Sequence, residues 1–125
     1  MSQKRVFGKY LQQFPEKVRK IALNLRVLIL KIIPKAVETV HPGLKWITYG
    51  VSRSVIAIKP GVDHVKLFFF EGTRLANSEQ LLSGSGSRLR FISIKEVSKL
   101  DKELTDLIEQ AHDLERKKSF RKSKV

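Results

Sequence analysis

The 125-residue sequence contains no cysteine. Disulfides, thiolate metal sites and a cysteine nucleophile are therefore excluded, and a reducing compartment suits such a chain. It also lacks an apolar run of the ~20 residues that a membrane span takes. The longest greasy stretch, residues 21–33, is interrupted by Asn24, Arg26 and Lys31. The opening MSQKRVFGKY has no apolar stretch behind its positive charges, so no secretory leader is expected there. Catalytic signatures are missing too: no G-x-S-x-G elbow, no H-E-x-x-H and no Walker loop. Helix-turn-helix, zinc-knuckle and RNP patterns are likewise absent. These absences point to a cytoplasmic protein with no membrane partner, and they favour binding over catalysis.

Acidic residues are scarce. Twelve Asp and Glu face 25 Lys and Arg, for a net charge of +13, which attracts polyanions. The excess is uneven. Residues 1–95 carry 17 basic and 5 acidic side chains, residues 96–114 carry 2 and 6, and residues 115–125 carry 6 and 1. The chain is thus basic with one acidic stretch near its end.

What is present is enough for one domain, since a chain of 125 residues buries about two-thirds of its extended surface on folding. Helical periodicity marks the two ends, and strand-like runs lie between them. That order implies α+β: a central antiparallel sheet of four or more strands flanked by N-terminal and C-terminal helices. A short helix is predicted over residues 3–13. A second follows over 15–33, where Val18, Ile21, Ala22, Leu25, Leu28, Ile29 and Ile32 share one face. Leu23, Val27 and Leu30 form another stripe, to be covered by a terminal helix of the same chain or by a second copy, so the protein is a monomer or a homodimer. Strands are predicted near 44–49, 53–59, 63–70 and 88–94, and a short helix near 78–82. The last helix, about 99–116, carries Leu100, Leu104, Leu107, Ile108, Ala111 and Leu114 on one stripe, with Ser98 and Asp101 resembling a capping box. The domain is expected to end at residue 116. The segment 117–125, KSFRKSKV with its preceding lysine, has too little apolar content to fold and reads as a disordered basic tail.

The order and spacing of certain residues resemble a known family. Tyr10-Leu11 through Pro15, then Val18, Leu25, Ile29, Pro34, Ala36 and Glu38, lead to the aromatic-Gly pair Tyr49-Gly50. The second half adds His64 to Phe69, Gly72, Leu75, the Gly84-Ser85-Gly86 loop, Arg90-Phe91-Ile92 and Leu107 to Ala111. Over residues 6–116 this pattern resembles the YdhG-like family of bacterial and archaeal domains of unknown function. One branch of that family is described as a frataxin-like intracellular iron chaperone. The resemblance implies an antiparallel sheet flanked by helices and, as function, iron carriage. One departure is that Val51 and Ser52 follow the aromatic-Gly pair where the family commonly has a proline.

Iron carriage needs hard oxygen ligands on an accessible surface. Asp106, Glu109 and Asp113 are spaced to line the polar face of the last helix, with Glu103 nearby, and are the candidate iron ligands. The alternative is an ordinary solvated face, since Lys102 and Lys117 share that side. Glu38 with His41, and His112 with Glu115, have the i, i+3 spacing of helical metal ligands, but each stands as a single copy. His64 reads as a hydrogen-bonded structural histidine. A second candidate is an anion site. Arg88 and Arg90 share one face of their strand, and Lys66 shares another with Phe68 and Phe70. If the two faces coincide, they form a cationic patch for a carboxylate, a phosphate or a nucleic-acid base. Trp46, Tyr49 and Phe68 are the aromatics expected to line a pocket there. The flank Lys20 and Lys31 and the tail add to a basic surface for nucleic acid. The two functional readings are therefore an iron-binding chaperone and an anion or nucleic-acid binding module.

Overall fold

Pro15 opens the second helix of the chain, because its fixed φ of −59° suits the residue just ahead of a first turn. The computed structural model describes the backbone of residues 3–124 and the side chains of residues 3–117. Helix α1 spans Gln3–Leu11 and α2 spans Glu16–Ile32. Val18, Ile21, Ala22, Leu25 and Ile29 form the buried stripe of α2, and the helix stops ahead of Pro34, which lacks the N–H needed to continue it.

Five strands follow: β1 (Val37–His41), β2 (Trp46–Gly50), β3 (Ile56–Pro60), β4 (Val65–Phe69) and β5 (Arg90–Ile94). They pair as an antiparallel meander in chain order. Short 3₁₀ turns at Gly72–Arg74 and Val97–Lys99 and helix α3 (Ser78–Leu81) complete the connections before α4 (Lys102–Lys124). The protein is thus α+β, with its sheet flanked by N-terminal and C-terminal helices. Among the described residues, no helix is long and apolar enough to cross a membrane.

Alternation along the strands separates two faces. Ile47, Tyr49, Ile56, Ile58, Val65, Leu67, Phe69 and Ile94 point inward and are essentially fully buried. They join Phe7 and Leu11 of α1, the α2 stripe, and Leu104, Leu107, Ile108 and Ala111 of α4 in one core. The three long helices therefore bury their apolar stripes on the same side of the sheet. Leu25 and Leu107 sit in that core, as the stripes require. Leu23 and Val27, at 45% and 65% exposure, do not, although Leu30 of the same stripe is partly buried against the core.

Two details differ from the sequence reading. Strand β1 was not among the predicted runs, because its inward position is Glu38, a charge where alternation calls for an apolar residue. The cap of α4 is Asp101, whose Oδ1 accepts the Leu104 N–H at 3.1 Å, whereas Ser98 lies in the preceding 3₁₀ turn. The backbone of α4 also continues helical to Lys124; the expectation of a structureless tail over 117–125 falls largely on side chains outside those described.

Candidate nucleic-acid interface

The outward sheet face carries aromatic rings. Register places Phe68 opposite both Ala57 and Phe91, and Lys66 opposite Lys59 and Ser93. Trp46 packs edge-on against Phe68 and Phe70, with ring centroids 5.7 and 5.3 Å away. Phe68 and Phe91 meet at 5.3 Å. This cluster shields Ala57 and Thr48, which are buried although they face outward, while the four rings themselves remain partly exposed. Two ammonium groups complete the surface. Lys66 Nζ stands 4.7 Å from the centre of the Phe91 ring, and Lys59 Nζ stands 5.9 Å from that of Trp46. Lys59 is steadied by donating to the Leu44 carbonyl at 3.1 Å. At the β1 edge, His41 Nε2 and Thr48 Oγ1 are hydrogen-bonded at 3.0 Å.

Of the predicted anion set, only Lys66 belongs to this face. Arg90 pairs with the inward Phe69, so Lys66 and Arg90 lie on opposite sides of the sheet and the expected joint patch does not form. Arg90 is also committed locally. Its Nη1 donates to the carbonyls of Gly86 at 2.6 Å and Leu89 at 2.8 Å, so it pins the Ser83–Ser87 loop. Gly72 leaves room for it, since a Cβ there would come within 2.4 Å of Arg90 Cβ. Arg88 is exposed in the same connection, and its carbonyl accepts the Thr73 N–H.

The predicted pocket aromatics divide likewise. Trp46 and Phe68 are on the open face, whereas Tyr49 is buried in the core. The Tyr49 hydroxyl donates to Glu38 Oε2 at 2.5 Å, and Arg26 grips both oxygens of that carboxylate at 2.7 and 3.1 Å. Burial first, then the hydrogen bond and charge of Glu38, push the phenol above its ordinary pKa, against an opposing pull from Arg26. Arg26 further lies over the Phe7 ring at 5.4 Å. The triad makes a buried Glu38 tolerable: its side chain is 1% exposed but fully partnered.

The candidate metal residues do not converge. Asp106, Glu109 and Asp113 are exposed along α4, and Asp113 stands 3.9 Å from Arg116. Glu38 and His41 lie three apart on a strand, where odd spacing sends them to opposite faces. Asp63 Oδ1 and His64 Nδ1 form a surface pair at 2.7 Å. Among the described residues, no group of three or more His, Asp or Glu side chains is placed to share a metal ion.

Glu115 has a different task. Its Oε2 accepts the backbone N–H groups of Val51, Ser52 and Arg53 at 2.8, 2.5 and 3.1 Å, and the Ser52 hydroxyl at 3.0 Å. Successive N–H groups aimed at one point make an anion nest, filled here by the chain's own carboxylate. His112 Nδ1 lies 3.8 Å from Glu115 Oε1, and both atoms are buried without a hydrogen-bond partner.

Sequence reasoning singled out Lys66, Phe68 and Trp46 as candidates but not their contacts with Phe91 and Lys59. The missing quantity was the β4–β5 register, which single-strand alternation does not contain. Comparison of the chain with protein-family models, curated proteins and solved structures finds no match.

Proposed function

We propose that this protein is a non-catalytic binder of single-stranded nucleic acid, using the open face of its sheet. The observation that carries the reading is the Phe68–Phe91 pair with Lys66 Nζ 4.7 Å from the Phe91 ring, on a sheet face that none of the described helices covers. Partly exposed aromatic rings supply stacking surfaces for unpaired bases, at about 1–3 kcal/mol per base. The lysines and the net charge of +13 supply attraction to phosphates, whose strength falls as salt rises. A duplex offers its phosphates but keeps its base faces stacked internally, so single strands are the better ligand. With stacking and charge as the only determinants, recognition is largely blind to sequence.

Fluorescence anisotropy of a labelled single-stranded 12-mer at ~0.15 M salt tests the proposal, with unlabelled single strands and duplex as competitors. Saturable binding that single strands displace at lower concentration than duplex is the expected outcome. No binding, or stronger displacement by duplex, would overturn it.

A further inference from the structure

Two rows of side chains run across the strands on the open face. In the first, His41 pairs with Trp46, and Lys59 with Lys66 and Lys66 with Ser93; the Lys59 ammonium over the Trp46 ring joins the two halves. In the second, Thr39 pairs with Thr48, Thr48 with Ala57, Ala57 with Phe68 and Phe68 with Phe91. Neither row contains an acidic side chain. Both lysines are rooted in the first row, whereas the tilted Phe68–Phe91 pair is rooted in the second and Phe70 beyond it; the Lys66 ammonium reaches from the first row to the Phe91 ring, and the Trp46 ring reaches Phe68 and Phe70. The first row is nearer the turns that join β1 to β2 and β3 to β4, where Lys45 is exposed and the one acid, Asp63, is paired with His64.

From this separation we infer the path of the bound strand, an inference that rests on the function proposed above. The sugar–phosphate chain crosses the sheet at right angles to the β-strands, along His41, Trp46, Lys59, Lys66 and Ser93. Its bases lean toward Phe68, Phe91 and Phe70. The opposite arrangement would carry the phosphates over Phe68, Phe91 and Phe70, a row in which no lysine is rooted, and leave the lysine-bearing row to the bases. Five strands spaced ~4.8 Å apart make a track of about 19 Å. That suits a short footprint, about four nucleotides, at the low end for a single-strand binding module.

Because phosphates and bases meet different rows, their contributions are separable. Lys59→Gln and Lys66→Gln should each reduce the slope of log K against log salt by about 1. Phe91→Leu should weaken binding about tenfold at every salt concentration and leave the slope unchanged. Ser93→Lys adds a cation to the first row at an exposed position, so it tests the path without removing any packed group. It should tighten binding and steepen the slope. The measurement is anisotropy of a labelled oligonucleotide between about 50 and 200 mM salt, a range over which phosphate contacts are well resolved. If the wild type binds but neither lysine variant nor Ser93→Lys changes the slope, the path is wrong while the proposed function stands. If the wild type binds no oligonucleotide, both fall.

Discussion

Glu115 and Ser52 are 63 residues apart in the chain, yet the Ser52 N–H reaches Glu115 Oε2 at 2.5 Å. The contact fastens the middle of α4 to the loop between β2 and β3, and it explains how a carboxylate with 2% side-chain exposure is accommodated. Charge-assisted bonds of this kind contribute about 1.5–3 kcal/mol each when compared with an unpaired group. Glu115→Ala leaves three loop N–H groups without their acceptor, and should lower stability by about 3 kcal/mol in urea denaturation. Glu115→Gln keeps an acceptor oxygen and should lose less.

The same residue imposes a pH dependence. Burial favours the neutral acid, but the N–H groups of Arg53 and Ser52, the Ser52 hydroxyl and the Val51 N–H outweigh it, so the carboxyl lies below its ordinary value. A depressed folded value means that the unfolded chain binds the proton first. The contribution of Glu115 is therefore complete above the ordinary glutamate value, about 4.3, and lost as pH falls through the folded value. Denaturation measured from neutral pH downward should show the wild-type advantage over Glu115→Gln shrinking in acid. A constant difference would refute the role of the charge.

The Arg26–Glu38–Tyr49 triad should behave asymmetrically. Tyr49→Phe removes one donor and should cost about 1.5–3 kcal/mol, since the acceptor is ionised. Arg26→Ala strips the buried carboxylate of its counter-charge and should cost about 3–5 kcal/mol. Equal small effects in urea titrations would contradict this asymmetry.

Gly50 is required by space. A Cβ there would lie 1.6 Å from the Arg53 carbonyl oxygen, a backbone atom that cannot move without dismantling the loop that receives Glu115. Gly50→Ala should destabilise by more than about 3 kcal/mol, against under about 1 for Gly43→Ala, whose surroundings are open. Thermal denaturation of the two variants makes the comparison.

Much of the architecture was legible because it follows from periodicity. The stripes around Leu25 and Leu107 and the alternation of Val65, Leu67 and Phe69 are properties of single elements, and each lies where its pattern places it. What escaped were relations between elements. Glu38 hid β1, because its Arg26 and Tyr49 partners come from elsewhere in the chain. Lys66 and Arg90 were candidates for one patch until the Phe68–Phe91 pairing placed them on opposite faces. The Glu115 nest left no trace, since its donors are backbone N–H groups, which every non-proline residue possesses.

The claim on which the functional account depends is that the open sheet face is the binding surface. Trp46 is the only tryptophan in the chain and sits in that face against Phe68 and Phe70. Intrinsic fluorescence therefore reports from the proposed site without a label. Titration with a single-stranded oligonucleotide should shift or quench Trp46 emission saturably, with the midpoint moving to higher concentration as salt rises. Emission that stays unchanged while anisotropy reports binding would place the ligand elsewhere and contradict the account.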